Sequence, residues 1–247
     1  MVLTLLLTAV FALPSAQPAP PPQVPDVDTC LSCHADRTMA VALPSGETRP
    51  LYVDIDAFRA SVHGNKLGCT DCHQDMTTVP HEARPFTSLR DFTLAYYEQC
   101  KRCHFANYTK TLDSVHFKAL ERRDRMAPTC VDCHGAHDVA SPHKPKASLS
   151  RTCAKCHQGV FDVYQKSGHG RFLEQSDDVP GCTDCHRSHD VAGPRDGSWQ
   201  KQTPELCSNC HGNKTLMEKY GLSTAVANTY VADFHGMTAS LQRSGTP

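Results

Sequence analysis

Residues 128–139 read PTCVDCHGAHDV, a pattern whose core recurs along the whole chain. Two cysteines are spaced C-x-x-C, and a histidine follows the second cysteine directly. All 14 cysteines of the 247-residue chain belong to such motifs, and none is left over. The seven motifs, numbered one to seven in chain order, are Cys30/Cys33/His34, Cys69/Cys72/His73, Cys100/Cys103/His104, Cys130/Cys133/His134, Cys153/Cys156/His157, Cys182/Cys185/His186 and Cys207/Cys210/His211.

Each C-x-x-C-H motif has the chemistry of a covalent haem c attachment site. Two thiols on one turn of chain can each form a thioether with a vinyl group of the same porphyrin. The adjacent histidine then faces the iron and becomes its proximal axial ligand. The sequence therefore predicts seven covalently bound haems c, held by the 14 cysteines and ligated at iron by the seven motif histidines.

Three other uses of paired cysteines fit the pattern less well. A disulfide framework does not require a histidine after every second cysteine. Structural zinc sites consume two C-x-x-C pairs per metal, and the number of pairs here is odd. A thioredoxin-like redox pair is solitary and lies in a βαβ pattern, which this sequence lacks.

The composition indicates that haem must supply much of the core. Aromatic residues make up 7% of the chain, which also holds 17 prolines and 14 glycines. Each haem adds a large apolar surface that such a chain can wrap. We predict a mainly irregular fold with short α-helices, little or no sheet, and a largely unfolded apoprotein. Helices are expected over residues 54–63, 89–100, 108–120, 160–174 and 223–234.

The charge pattern argues against nucleic acid as a partner. The formal net charge is -1, and no basic stripe interleaved with aromatic residues is present. Haem propionates would make the holoprotein more acidic. We expect it to dock on positively charged surfaces of other redox proteins.

The N-terminal residues resemble an export signal. Residues 2–13 are apolar but too few to span a bilayer, and the positive n-region typical of a signal peptide is missing. We predict a signal peptide over residues 1–16 and a proline-rich linker over residues 17–29. Because haem is attached to such motifs outside the cytoplasm, we expect a periplasmic or otherwise exported protein.

A repeat of about 53 residues organises the rest of the chain. His63, His116 and His169 lie in similar short contexts at equal spacing, and His235 begins a fourth. The predicted units are an N-terminal haem unit over residues 30–62 and three dihaem repeats over 63–115, 116–168 and 169–234. No motif follows His235, so residues 235–247 are interpreted as the start of a truncated fourth repeat.

Eight histidines lie outside the motifs, and seven irons need a distal ligand. We predict bis-histidine coordination by His63, His81, His116, His137, His169, His189 and His235, with His143 as the spare. Methionine can also be an axial ligand, but we do not predict this role for the Met residues here, because methionine more often fills gaps or lies exposed. No catalytic residue is predicted.

His137 and His189 each lie three residues after a proximal histidine. Neither can reach round to the opposite face of its own motif's haem, so each is predicted to ligate a neighbouring haem. His81 is expected to do the same in the first repeat. Asp138 and Asp190 are candidate acceptors for the Nδ1–H groups of these ligands.

The stretches SVHG…GCTDCHQD…HE and PTCVDCHGAHDV resemble the cytochrome c3-like families of multihaem c-type cytochromes with doubled motifs. The similarity runs from Cys30 to the C-terminus. It implies a periplasmic or surface-exposed electron conduit, often the partner of a membrane cytochrome b that handles quinol.

The sequence thus favours a carrier that moves electrons along seven mostly bis-histidine haems between redox partners. One alternative is a multihaem oxidoreductase of the nitrite or hydroxylamine type, with one open haem. Such enzymes often replace a motif histidine by lysine, and all seven motifs here end in histidine. Another alternative is a homo-oligomer, a filament in which a neighbouring subunit supplies a distal ligand.

Overall fold

A computed structural model describes residues 26–143, 145–195 and 197–232. Short helices joined by loops make up the structure, with one small hairpin near the N-terminus. The elements are α1 Val27–His34, β1 Ala40–Ala42, β2 Thr48–Pro50, α2 Ile55–Ala60, α3 Cys69–Cys72, α4 Leu89–Tyr96, a 3-10 helix Tyr97–Arg102, α5 Phe105–Thr111, α6 Val115–Glu121, α7 Cys130–His134, α8 Lys146–Gln165, a 3-10 helix Gly170–Phe172, α9 Cys182–His186, α10 Gly197–His211, α11 Lys214–Lys219 and α12 Ala225–Ala232.

The predicted fold class is confirmed. Among the described residues the sheet consists of β1 and β2 alone, paired antiparallel with Ala40 opposite Pro50. Gly46 turns the hairpin with φ +86°, a backbone angle that glycine adopts without steric cost. All other regular structure in the described ranges is helical.

Most of these helices are too short to be stable alone, because the first turn costs more entropy than it returns. Side-chain caps offset part of that cost. Ser114 shows the effect, since its hydroxyl accepts from the Phe117 N–H and starts α6. The helix predicted over residues 108–120 is therefore two helices, α5 and α6, with a break at Ser114. The helix predicted over 160–174 instead begins at Lys146 and ends at Gln165.

The side-chain core is small. Its main cluster joins Ala147, Ala154 and Phe161 of α8 to Leu173 in the segment that follows. Meanwhile large apolar side chains lie open, among them Val163 at 71% exposure and Met126 at 86%. A chain that wraps haem has this distribution, with little apolar contact between its own side chains.

No helix within the described ranges combines the length and the apolar character needed to cross a bilayer.

Candidate haem sites

Every C-x-x-C-H motif lies at the end of a helical segment. Motifs one, four, six and seven finish α1, α7, α9 and α10, and each of these helices ends on the motif histidine. At His73, His104 and His157 the backbone leaves the helical region, with ψ of 60°, 39° and 39°. The helix thus holds the two thiols on one turn, and the chain changes direction at the histidine.

The aspartate in the three C-x-D-C-H motifs has a structural role that the sequence argument did not assign. It stands at the third position of α3, α7 and α9, and its carboxylate accepts a hydrogen bond from the backbone N–H that precedes the first cysteine. This contact stabilises the N-terminus of a single helical turn. The bonds are Gly68–Asp71 at 2.7 Å, Thr129–Asp132 at 2.6 Å and Gly181–Asp184 at 2.7 Å. For the second bond, the spacing of Thr129 and Asp132 matches the capping-box pattern, so this contact could have been predicted from the sequence.

Six of the seven motif histidines face a histidine from outside the motifs. The ring centroids are 6.0 or 6.1 Å apart in every pair, although the planes meet at angles from 7° to 54°. The pairs are His34–His81, His73–His137, His104–His63, His134–His189, His157–His116 and His211–His169.

This separation fits an iron held between two imidazoles. Metal–imidazole bonds are about 2 Å long, and a ring nitrogen lies about 1 Å from the centre of its ring, so the two centroids should be about 6 Å apart. Rings in direct contact would be closer. The residues present therefore fit bis-histidine haem, whose iron would mediate the redox chemistry.

The pairing interlocks the repeats. His137 follows motif four but lies opposite His73 of motif two. His189 follows motif six but lies opposite His134 of motif four. His81 likewise stands after motif two and opposite His34 of motif one. In these three cases a later part of the chain contributes a histidine to an earlier motif.

The other three pairs are formed within a repeat. His63, His116 and His169 each face the motif histidine that lies 41 or 42 residues later. Each of them stands directly before a different motif, so the chain must pass one haem site before it returns to the partner. Proximity in sequence therefore does not identify the partner of a distal histidine.

The two remaining histidines outside the motifs are His235 and His143. His235 lies outside the described residues. His143, the predicted spare, is exposed in the loop before α8. Asp190 was predicted as the acceptor for the Nδ1–H group of His189. In the structure its Oδ2 forms an ion pair with Nε of Arg187, 3.2 Å away.

Burial favours the neutral imidazole that metal binding needs. The pKa values of the paired histidines His73 and His137 lie below the ordinary value, chiefly because burial penalises the charged ring. The same cause lowers the pKa values of His63, His116, His169 and His189.

Backbone carbonyls orient two of the proximal rings. Nδ1 of His34 is 2.6 Å from the Leu51 carbonyl oxygen, and Nδ1 of His186 is 3.0 Å from that of Ala192. Carbonyl oxygen only accepts, so Nδ1–H is the donor in both contacts. Nε2 is then the unprotonated nitrogen that is available to the iron.

Cysteines of consecutive motifs lie side by side. In each of six pairs, one thiol from a motif and one from the next motif are close enough for one to shift the pKa of the other. In chain order these links are Cys30–Cys69, Cys72–Cys100, Cys100–Cys130, Cys133–Cys156, Cys153–Cys182 and Cys185–Cys207. The seven attachment sites therefore form one continuous series in sequence order.

The two thiols of a motif differ in exposure. In motifs one to five the first cysteine is half-buried, whereas the second is exposed; these second cysteines are Cys33, Cys72, Cys103, Cys133 and Cys156. All 14 thiols are free of disulfides. An exposed thiol is accessible for thioether formation with a vinyl group.

Three of the cysteines predicted to bind haem, Cys33, Cys103 and Cys210, form none of the six links between motifs. The Cys33 sulfur lies 3.9 Å from the Ser32 hydroxyl, which is its immediate neighbour in the chain. Cys103 lies close enough to Cys72 to help raise the pKa of that thiol, which burial raises most. The role of Cys33, Cys103 and Cys210 in haem attachment, like that of the other cysteines, stays a prediction from the motif.

Comparison with known proteins supports haem binding by this chain. The family Cytochrome c3 matches residues 122–212, which contain motifs four to seven and the paired histidines His169 and His189. The chain is a multihaem c-type cytochrome. Haem c follows for it as cofactor, and the predicted resemblance to cytochrome c3-like proteins is confirmed.

Two curated relatives show how far the similarity reaches. The cytochrome is 27% identical over 169 residues to the Multiheme cytochrome MtrC of Shewanella baltica, covering 62% of this chain and 24% of the relative. It is 25% identical over 148 residues to the High-molecular-weight cytochrome c of Nitratidesulfovibrio vulgaris, covering 52% of this chain and 26% of the relative. The chain thus spans about a quarter of the length of these proteins. No solved structure matches it.

Proposed function

We propose that this cytochrome binds seven haems c, one at each C-x-x-C-H motif, and that six of them have two histidine ligands. The observation that carries the proposal is the set of six histidine pairs with centroids 6.0–6.1 Å apart. The distal ligands are then His63, His81, His116, His137, His169 and His189. His235 stays a predicted ligand.

Electrons pass along the haems in sequence order, from haem one to haem seven, or in the reverse direction. The contacts between cysteines of consecutive motifs support this order. Each haem is bound at its motif by short thioether links, so neighbouring attachment sites imply neighbouring haems. The dihaem repeats over residues 63–115, 116–168 and 169–234 are not separate modules, because histidines cross between them.

The intact mass of the holoprotein measures the haem number, and a mass gain of seven haems is expected. The order is tested with His169→Met, which should mark haem seven as an electron sink because methionine ligation raises the potential. A photoreductant tethered to the surface of residues 30–62 injects the electron. Deleting haem four with Cys130→Ser and Cys133→Ser should then slow the arrival of the electron at haem seven by orders of magnitude.

His143→Ala is the matched control for this experiment, because it removes an exposed histidine that forms no pair. It should leave the arrival rate unchanged. An unchanged rate in the protein that lacks haem four would show that electrons do not travel through the chain of motifs.

We further propose that the protein works outside the cytoplasm between other redox proteins, one of which is a membrane cytochrome b that oxidises quinol. The apolar N-terminal residues 2–13 and the extracytoplasmic chemistry of haem attachment support export. Cell fractionation tests it: removal of residues 1–16 should abolish haem loading and leave the chain in the cytoplasm.

An oxidoreductase with one open haem is the second candidate. The observation that favours it is that, among the described residues, no histidine lies opposite His186, whereas the six other motif histidines each face an imidazole. Carbon monoxide added to the reduced holoprotein distinguishes the two. Binding at one haem supports an enzyme, whereas no binding supports a carrier with all its irons six-coordinate.

A further inference from the structure

Trp199, the single tryptophan of the chain, packs on the proximal histidine of motif six. The ring centroids of Trp199 and His186 are 5.1 Å apart, and the two planes differ by 10°. Parallel rings at this distance cannot lie side by side in one plane, because their edge atoms would overlap. The indole therefore covers a face of the imidazole, in the offset stack that aromatic pairs prefer.

The stack leaves the edge of the imidazole, with its ring nitrogens, available for bonding. One of these, Nδ1, donates to the Ala192 carbonyl oxygen at 3.0 Å. The indole is itself anchored, since Nε1 of Trp199 donates to the Cys185 carbonyl oxygen at 2.9 Å. His186 is thus held at one face and at one edge, and rotation of its ring about a bond from Nε2 to a metal is restricted.

The same contact joins motif six to motif seven. Trp199 lies near the start of α10 (Gly197–His211), and the cysteines of motif seven, Cys207 and Cys210, lie in the last turns of that helix. A residue that docks the start of α10 onto His186 therefore also sets where α10 runs relative to motif six. The interaction between Cys185 and Cys207 is consistent with this arrangement.

We propose that Trp199 is a positioning residue that fixes the plane of His186 and thereby the electronic state of haem six. The inference rests on the proposed function, because it requires haem at motif six. The orientation of an axial imidazole sets the order of the iron d orbitals in a low-spin ferric haem. Hydrogen bonding to an axial ligand also tunes the reduction potential. Trp199 acts on both through His186 and does not touch the iron.

The test compares Trp199→Leu and Trp199→Phe in the full holoprotein. Trp199→Leu removes the aromatic stack and the Nε1 bond, so one low-spin EPR signal should move and one step of the potentiometric titration should shift. Trp199→Phe keeps an aromatic ring over His186 and should restore both readouts towards those of the unchanged protein. Tyr220→Leu is the matched control, because Tyr220 bonds to Asp178 and lies at no motif histidine.

Haem content is measured first, by intact mass, so that spectra are compared between proteins with the same number of haems. Unchanged EPR and potentials in a fully loaded Trp199→Leu protein would overturn the inference. So would a Trp199→Phe protein as perturbed as Trp199→Leu, since the stack would then not be the positioning contact. If instead the intact mass of the unchanged protein showed fewer than seven haems, the proposed function would be refuted.

Discussion

Replacing His137 should open haem two, although His137 stands next to motif four. The centroid of the His137 ring lies 6.1 Å from that of the His73 ring, which is close to the 6.0 or 6.1 Å found in the five other pairs. In His137→Ala the side chain ends at Cβ and has no nitrogen to offer the iron. We expect one haem in seven to become five-coordinate, and the protein to bind one more carbon monoxide per chain than before.

The assay is carbon monoxide titration of the reduced protein, with EPR of the oxidised protein to count high-spin iron. Two backgrounds identify the haem that opens. Cys69→Ser with Cys72→Ser removes haem two, and the extra carbon monoxide site should then disappear. Cys130→Ser with Cys133→Ser removes haem four, and the extra site should remain.

His143→Ala provides the control, since it removes a histidine that is exposed and unpaired with any motif histidine. It should add no carbon monoxide site. The reasoning would be refuted if the extra site of His137→Ala survived the loss of haem two and vanished with haem four. His137 would then serve the motif beside it.

Three other outcomes are expected. The EPR spectrum of the oxidised protein should hold two classes of low-spin signal, because the planes of His34 and His81 meet at 7° and those of His63 and His104 at 54°; a single class would contradict these geometries. Asp132→Ala should lower the free energy of unfolding of the holoprotein by about 1–2 kcal/mol, since its carboxylate caps α7, and equal denaturation midpoints would count against the capping role. Haem removal should abolish most far-UV helical signal because the side-chain core is small; a cooperative melt of the apoprotein would contradict this.

Residue chemistry and local spacing were enough to read the haem motifs, the family and the fold class. A C-x-x-C-H motif carries its own chemistry within five residues, so it is visible wherever the chain goes. For Cys33 this local pattern is the whole basis of the predicted role, because its thiol is in none of the links between motifs. The predicted helices were recognisable in part, and α4 begins at Leu89 as predicted, but most of the other ends differ. Ser114 divides one of them, because a local cap from its hydroxyl competes with continuation of the helix.

The partner of each distal histidine depended on tertiary structure. His137 is three residues from His134 in sequence, yet it lies opposite His73, which is far earlier in the chain. Trp199 drew no attention in the sequence, because a lone tryptophan carries no pattern, and only the fold brings it onto His186. The physical reason is the same in both cases. A C-x-x-C-H motif is completed by bonds within one turn of chain, whereas an axial pair or a ring stack is completed by residues that the path of the backbone brings together.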